Sequence, residues 1–399
     1  MFVTGLSMAL AGLIAVWMGV LAAFHRPLRA LWREPVFRAP VAILESDDWG
    51  AGPPEQAAAL ARLRELLADA RNAAGETIVM TVGVILETVD RDATRAAGRY
   101  VAAGLSAPGQ AGILEALVDG ARAGAFALQL HGQAHYWPDS LLARASRDAE
   151  VAAWLAEGGL GWTEALPSAL QARWTETSRL PSVPLPESAV RAAAAAEVDI
   201  WRSVFGSAPE VAVPTTFVWT PVVERAWAAA GIRVMVTPGV RHEARGADGA
   251  PACITARIVN GERGDGGLLF LVRDVYFEPA LGHGPSRLAD GVLARAALGR
   301  PALIEMHRFN FCGPRATPAA FDTLRAALAE LLARVPDVRF MSTAALAGVI
   351  ARRDEACIER ALVPRLAVWA RRVRELRDFG RWARVTGLAL PLRALARLA

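Results

Sequence analysis

Short apolar runs alternate with longer alanine- and leucine-rich segments through the middle of the chain. The short runs predict buried strands, at Val41–Glu45, Ile78–Leu86, Ala125–Leu130, Val211–Pro214, Arg233–Thr237, Leu268–Val272, Leu303–Met306 and Val338–Met341. The longer segments predict helices, at Gln56–Ala73, Ile113–Ala123, Glu187–Phe205, Pro221–Ala230, Ala319–Ala333 and Thr343–Arg353. Such alternation predicts an α/β fold whose largely parallel sheet is closed, or nearly closed, into a barrel.

Polar side chains follow five of the predicted strands directly. They are Asp47-Asp48, His131 with His135, Thr215-Thr216 after Pro214, Arg273-Asp274, and His307-Arg308. Since the carboxyl ends of barrel strands meet at one face, we expect these side chains to converge there.

Each of these motifs taken alone also has an ordinary structural explanation. Adjacent aspartates after a strand can turn the chain, and spaced histidines are often packed or exposed without a ligand. Together, however, Asp, His and His are the ligand types that hold Zn²⁺ or a similar ion with coordination positions left open. The other aspartate of the adjacent pair is then available as a base, and the distant His307 as an acid. The combination of these residues predicts a metal site.

Three segments resemble motifs of the polysaccharide deacetylases, the NodB-homology carbohydrate esterases. Ser46-Asp47-Asp48-Trp49-Gly50 is similar to their first motif, His131-Gly132-Gln133-Ala134-His135 to their second, and Ile304-Glu305-Met306-His307 to their last. The resemblance covers roughly Val41 to Val349. It implies a distorted (β/α) barrel of about seven strands.

The resemblance also implies a role for each matching residue. Asp47 would be the catalytic base and His307 the acid, while Asp48, His131 and His135 would hold one divalent metal, with Zn²⁺ the expected ion.

The third motif departs from the family. Val211–Thr215 keeps its proline but lacks the arginine and the aromatic residue. The N–H of Thr215 is therefore the expected oxyanion donor, Arg273 or Arg308 would replace the arginine that supports the base, and Asp274 would orient the acid.

The function implied is removal of an N-acyl group, acetyl or formyl, from an amino sugar of a polysaccharide or a lipid-linked glycan. Two alternatives stay open. A glycoside hydrolase of the same architecture would need two carboxylates across the bond, for which Glu45 and Glu305 are candidates. A non-catalytic relative that binds glycan or membrane is supported only by the altered third motif.

The two ends of the chain predict contact with a membrane. Residues 1–24 carry no charged side chain and are long enough for a transmembrane helix. Arginines follow at positions 26, 29 and 33, which predicts a single-pass protein of the inner membrane with its body on the cytoplasmic side. A secretory signal is the alternative. The predicted organisation is an anchor and basic flank at 1–38, a barrel at 39–355 and a C-terminal segment at 356–399.

The C-terminal segment interleaves arginine with leucine, tryptophan and phenylalanine. This pattern predicts one basic amphipathic helix on anionic lipid, or equally a solvated helix that packs on the barrel. An insertion at about 136–190 contains Trp137, Trp154, Trp162 and Trp174. These tryptophans could stack on sugar or close over the site, or they could pack a small helical subdomain.

Composition excludes several kinds of chemistry. All 44 basic residues are arginine, so a Walker-A loop and Schiff-base catalysis, which need lysine, are excluded. The net charge of +4 is too small to indicate nucleic acid, and no nucleic-acid partner is expected. The three cysteines form no CxxC pair and no disulfide framework.

Overall fold

The computed structural model describes residues 2–398 and forms an α/β fold around one parallel sheet. The helices are α1 Phe2–Ala23, α2 His25–Arg33, α3 Gln56–Ala68, α4 Arg91–Ala97, α5 Ala111–Arg122, α6 Pro138–Ala145, α7 Ala149–Ala156, α8 Glu187–Phe205, α9 Pro221–Ala230, α10 Ser286–Ala296, α11 Ala320–Arg334, α12 Thr343–Arg352, α13 Leu362–Arg372, α14 Arg377–Val385 and α15 Ala389–Leu395. The strands are β1 Val41–Gly50, β2 Met80–Ile85, β3 Glu87–Val89, β4 Ala102–Gly104, β5 Phe126–Leu130, β6 Thr175–Glu176, β7 Val183–Pro184, β8 Val211–Ala212, β9 Val234–Thr237, β10 Val240–Arg245, β11 Pro251–Arg257, β12 Leu269–Val272, β13 Val275–Tyr276, β14 Ala302–His307 and β15 Arg339–Phe340.

The main sheet curls into a partial barrel with the order β12-β9-β8-β5-β2-β1-β14-β13, and β15 pairs beside β1. All of its ladders are parallel. All eight predicted strands are present in it. The short strand β13 was not predicted, and because β12 and β13 form the two ends of the order, the predicted closed barrel is an incomplete one. Three antiparallel strand pairs, β3–β4, β6–β7 and β10–β11, lie outside this sheet.

Alternating residues along each strand supply two apolar layers. Ile43 of β1 belongs to a cluster with Val236, Leu271 and Leu303, against which Leu346 of α12 packs. The neighbouring residue Leu44 belongs to the larger cluster under α3, α5, α8, α10 and α11. This period of two buries both faces of β1, as expected of a parallel strand covered by helices.

The predicted insertion forms a small lobe with its own core. Helices α6 and α7 contribute Leu141, Val151 and Trp154 to a cluster that also contains Leu166 and Leu170. The structure therefore supports the packing explanation for Trp154.

The C-terminal segment forms three short helices, α13, α14 and α15, instead of the one helix predicted. Gly380 lies within α14 and Gly387 has a φ of 74° between α14 and α15. These helices share a core with α2, in which Leu28 and Leu31 meet Phe379 and Leu392. Trp17 of α1 donates to the carbonyl of Thr386 over 2.8 Å, which joins both ends of the chain in one helical cluster.

Among the described residues, no helix alone has the length and apolar character of a membrane span. The pair Leu10–Ala23 and His25–Arg33 meets both criteria together, with a bend of 72° between its two helices. The transmembrane helix expected at residues 1–24 therefore stays a prediction.

Candidate active site

The carboxyl ends of the central strands surround a cleft of about 230 Å³. Asp47 at the end of β1 is the register partner of His307 at the end of β14. One wall carries the predicted chemistry: Asp47, Asp48, His131, His135, Arg273, Glu305 and His307. The remaining lining residues are Glu164, Leu166, Ser168, Gln171, Pro214, Thr216, Phe217, Phe309 and Arg315.

A bulge in β1 lets two neighbouring aspartates reach this cleft together. Successive side chains of a regular strand point to opposite faces, so only one of the pair would otherwise enter. Between Ser46 and Trp49 the register against β2 shifts, and Asp48 has a φ of 73°. Such a left-handed conformation is uncommon for a residue other than glycine, and it is often found where function requires it.

Asp48, His131 and His135 form a buried group whose ligand atoms all lie within 4.8 Å of one another. Asp48 Oδ1 lies 3.1 Å from His131 Nε2 and 2.8 Å from His135 Nε2. His131 Nδ1 lies 3.2 Å from the carbonyl oxygen of Val213. If Nδ1 donates its proton there, Nε2 carries a lone pair beside Asp48 Oδ1, and a metal ion between these two atoms would accept it.

The electrostatics of this group favour a cation between its members. Burial alone would lower the pKa of His131, but the charges of Asp47 and Asp48 raise it above the usual value. Burial would raise the pKa of Asp48, whereas the two histidines hold it well below the usual range. A proton or a metal ion satisfies the same demand, and the donor set fits a divalent ion with open coordination positions.

Asp47 is fixed beside this group as a carboxylate. Its Oδ2 accepts a hydrogen bond of 2.6 Å from Arg273 Nη2, and both side chains are almost fully buried. Burial would raise the pKa of Asp47, but the charges of Arg273 and His131 keep it below the ordinary value. The opposite oxygen, Oδ1, is buried without a hydrogen-bond partner among the described residues, so its capacity to accept a hydrogen bond is unused.

Gly83 on β2 leaves the space that Asp47 occupies. A Cβ atom at position 83 would lie 2.2 Å from Asp47 Oδ1 and 3.3 Å from Asp47 Cα. Any side chain there would displace the carboxylate, so the glycine helps to position it.

His307 lines the same cleft at the end of β14 and is held by Glu278. Its Nδ1 is 2.5 Å from Glu278 Oε1, and its backbone N–H donates to Glu278 Oε2 over 3.3 Å. Asn310 also donates to Glu278. Burial would lower the pKa of His307, but the hydrogen bond to Glu278 and the surrounding carboxylates raise it to about 10. His307 is therefore protonated at neutral pH, as a general acid must be before it reacts.

The structure separates the two arginines proposed to support the base. Arg273 contacts Asp47, and Phe217 lies under its guanidinium at 4.9 Å. Arg308 instead points to the insertion, where it binds both oxygens of Glu164 at 2.7 and 3.0 Å. Arg308 therefore links the end of β14 to the small lobe.

Asp274 does not lie on His307, contrary to the expectation. It accepts from Arg295 of α10 at 2.9 Å, while Glu278 occupies the position beside the histidine. Strand β13 lies between Asp274 and Glu278 in the chain.

Thr215 is fully buried behind the cleft, and its Oγ1 accepts from the backbone N–H of Arg173. The adjacent Pro214, Thr216 and Phe217 line the cleft. Thr216 and Phe217 have φ values of 53° and 55°, and Thr216 Oγ1 is buried without a hydrogen-bond partner among the described residues. The third motif thus turns sharply at the cleft wall.

The tryptophans of the insertion lie outside the cleft lining. Trp174 packs against Trp227 with ring centroids 5.4 Å apart, and Trp162 stacks on Arg308 at 5.1 Å. The lobe reaches the cleft through Glu164, Ser168 and Gln171 instead.

No family model matches the sequence, and no curated protein matches it. Solved structures are similar to the chain in fold. One is a Mycobacterium smegmatis protein assigned as a polysaccharide deacetylase, 13% identical, with a TM-score of 0.40 over 82% of this chain and 98% of that one. Another is a family 4 acetyl xylan esterase from Clostridium thermocellum in complex with a cobalt ion, 11% identical, with a TM-score of 0.36 over 77% and 91%.

A third similar structure is a 4-α-glucanotransferase from Thermococcus litoralis, 10% identical, with a TM-score of 0.39 over 78% of this chain and 40% of that one. The structural neighbours of the chain thus include a deacetylase and a carbohydrate esterase. At these identities and TM-scores the likeness supports no statement about function, and the function has to be argued from the residues of the cleft.

Proposed function

We propose that the chain is a metal-dependent hydrolase that removes an N-acyl group from an amino sugar. The observation that supports this most is the arrangement around Asp48, His131 and His135. A carboxylate with a free oxygen, Asp47, lies on one side of this candidate metal site, and a protonated histidine, His307, lines the same cleft. Hydrolysis of an amide needs a base for water and an acid for the leaving amine.

Asp48, His131 and His135 would hold the divalent metal, with Zn²⁺ the ion proposed. When bound, such an ion lowers the pKa of a coordinated water and polarises a carbonyl. Asp47, kept ionised by Arg273, takes the proton of the attacking water on its free Oδ1. His307 then gives its Nε2 proton to the leaving nitrogen, while Glu278 keeps the ring oriented through Nδ1.

The oxyanion that develops on the acyl carbon needs a hydrogen-bond donor as well as the metal. We propose the backbone N–H of Thr215 for this part, at the turn that follows Pro214. The neighbouring Thr216 and Phe217 line the cleft beside it.

The substrate proposed is a glycan that carries an acetylated or formylated amino sugar, either in a polysaccharide or linked to a lipid. The outer wall of the cleft carries polar groups that can form hydrogen bonds with sugar hydroxyls, on Glu164, Ser168, Gln171 and Arg315. Glycoside hydrolysis is less well supported, because Glu45 is fully buried and bonded to Thr343 and Gln129. It cannot face Glu305 across a sugar, as a glycosidase pair would.

The membrane location is a separate proposal, with the chain held by its N-terminal segment and the cleft on the cytoplasmic side of the inner membrane. Its support is the uncharged run of residues 1–24 followed by arginines. Reporter fusions to the C-terminus that are active on only one side of the membrane would test it. Activity of a periplasmic reporter would overturn the orientation.

The test of the function is metal content measured on the full chain in detergent, together with acid release from N-acetylglucosamine oligomers. We expect about one equivalent of metal in the wild type, and loss of metal and activity in His131→Ala. Asp47→Asn should keep the metal and lose most activity. His242→Ala, a histidine of β10 outside the cleft lining, is the matched control and should change neither.

The two parts of this proposal fail separately. A wild type that stays free of metal after dialysis against zinc would overturn the metal site. A metal-loaded protein that releases acid equally well as Asp47→Asn would overturn the assignment of the base.

A further inference from the structure

Helices α14 and α15, with the turn Val373–Glu375 that follows α13, line a cavity of about 270 Å³, remote in sequence from the catalytic residues. Its floor is apolar and consists of Val373, Phe379, Ala383 and Leu392, all buried. Because these side chains also form the core of the helical cluster with α2, the cavity is part of a packed unit.

The rim of the cavity carries three exposed guanidinium groups, those of Arg374, Arg384 and Arg393. Among the described residues, none of the three has a carboxylate within ion-pair distance or an assigned hydrogen-bond acceptor. Exposed arginines of the barrel are often paired, as Arg225 is with Asp265 and Arg334 with Asp290. The rim therefore concentrates positive charge that the chain itself does not neutralise.

Exposed apolar side chains lie on the same helices as the rim. Trp382 is 54% exposed, Val385 77% and Leu390 68%. Trp17 joins α14 to α1, whose residues from Leu10 to Met18 also leave large apolar side chains exposed. Unpaired arginines beside exposed apolar and tryptophan side chains are typical of a surface at the boundary between lipid headgroups and acyl chains.

We propose that this cavity binds the phosphate group of an anionic phospholipid. Guanidinium groups bind phosphate oxygens through paired, charge-assisted hydrogen bonds. The apolar floor and the exposed Trp382 and Leu390 contact the glycerol and the first methylene groups. This site is independent of the proposed hydrolase activity, and it gives the chain a contact with lipid separate from α1.

The experiment is an equilibrium titration of the full chain, in a nonionic detergent, with short-chain phosphatidylglycerol. Phosphatidylcholine of the same chain length and inorganic phosphate are titrated in parallel. The test variant replaces the three rim arginines, Arg374→Gln, Arg384→Gln and Arg393→Gln. The matched control replaces three exposed arginines of the same helical segment that do not line the cavity, Arg377→Gln, Arg381→Gln and Arg397→Gln.

We expect the wild type to bind phosphatidylglycerol roughly 100-fold more tightly than phosphatidylcholine, since each arginine near an anionic lipid contributes about a fivefold factor. The rim variant should lose this preference and the control should keep it, with thermal unfolding unchanged in both. Equal loss in the two variants would overturn the cavity, because the attraction would then belong to the whole basic segment. If inorganic phosphate binds as tightly as phosphatidylglycerol, the proposal that the ligand is a lipid would be overturned.

Discussion

Replacement of Glu278 by glutamine tests how the structure sets the protonation of the proposed acid. Glutamine keeps an oxygen that can accept from His307 Nδ1, at the place where Glu278 Oε1 now lies 2.5 Å away. It removes the negative charge. The ring should therefore stay in position while its affinity for a proton falls.

The size of the effect follows from the contacts of His307. Its pKa is raised from 6.5 to about 10, although burial alone would lower it, and Glu278 contributes the largest of the raising effects. An opposite charge in contact shifts a pKa by about 1–3 units. Without that charge, the pKa of His307 should fall to roughly 7–9. A metal ion nearby lowers the pKa in wild type and variant alike, so the difference between them remains.

The sign of the effect fixes the pH range in which it is seen. A raised pKa keeps His307 protonated at neutral pH, and the acid is lost as pH rises through that value. The alkaline limb of kcat/KM, which reports groups of the free enzyme, should therefore move to lower pH in Glu278→Gln. The activity near pH 6 should change little. The assay is acetate release from N-acetylglucosamine oligomers across the pH range.

Asp274→Asn is the matched control, because Asp274 was the residue expected from the sequence to orient His307. In the structure Asp274 pairs with Arg295. The alkaline limb of kcat/KM for Asp274→Asn should therefore coincide with that of the wild type. A limb that moves in Asp274→Asn and stays fixed in Glu278→Gln would refute the assignment of Glu278.

Three further predictions concern other contacts of the cleft. Gly83→Ala should keep the metal but reduce kcat/KM by about 100-fold, because the added Cβ would displace Asp47 and a misplacement of about 1 Å can reduce the rate by that factor. The control is Gly109→Ala, because no atom lies within 4 Å of a Cβ at that position. Arg308→Gln should destabilise the fold by about 1–3 kcal/mol in denaturant unfolding, because it leaves the partly buried carboxylate of Glu164 without its guanidinium partner; a change within about 0.5 kcal/mol would contradict this. A chelator should lower the melting temperature of the wild type and leave that of His131→Ala unchanged, since a ligand that binds only the folded state stabilises it.

The sheet could be predicted from the sequence because a buried parallel strand has a strong local signal. The eight predicted strands are short, largely apolar runs, and each is present in the sheet. Helices α8 and α9 begin and end at the predicted residues. Strand β13 has only two residues, Val275 and Tyr276, and no periodicity can be read from so short a segment.

The omission of β13 explains why Glu278 was missed. The rule that functional side chains follow strand ends is the same one that identified His131 and His307. Applied to a strand at Val275–Tyr276, it would have indicated Glu278, two residues beyond, in addition to Asp274, which lies two residues beyond β12. The rule supplies both candidates, and only the tertiary contacts of His307 decide between them.

The bulge at Asp47 and Asp48 is a different kind of omission. The sequence shows two adjacent aspartates, but a regular strand would direct them to opposite faces. Their shared orientation depends on the φ of 73° at Asp48 and on the shifted register against β2. Both are tertiary features, set by how neighbouring strands pair, and no local pattern in the sequence reports them.

The charge of the cleft supports the proposed metal site independently of any similar protein. Five carboxylates meet in or directly beneath the cleft: Glu45, Asp47, Asp48, Glu278 and Glu305. Arg273 contacts three of them and the protonated His307 a further one. Buried like charges raise one another's pKa, as the pKa of Glu45, raised to about 6 by burial and by Asp47, shows. Among the described residues, Asp48 pairs with two histidines, so a divalent cation between them would lower the electrostatic cost of burying this carboxylate beside Asp47.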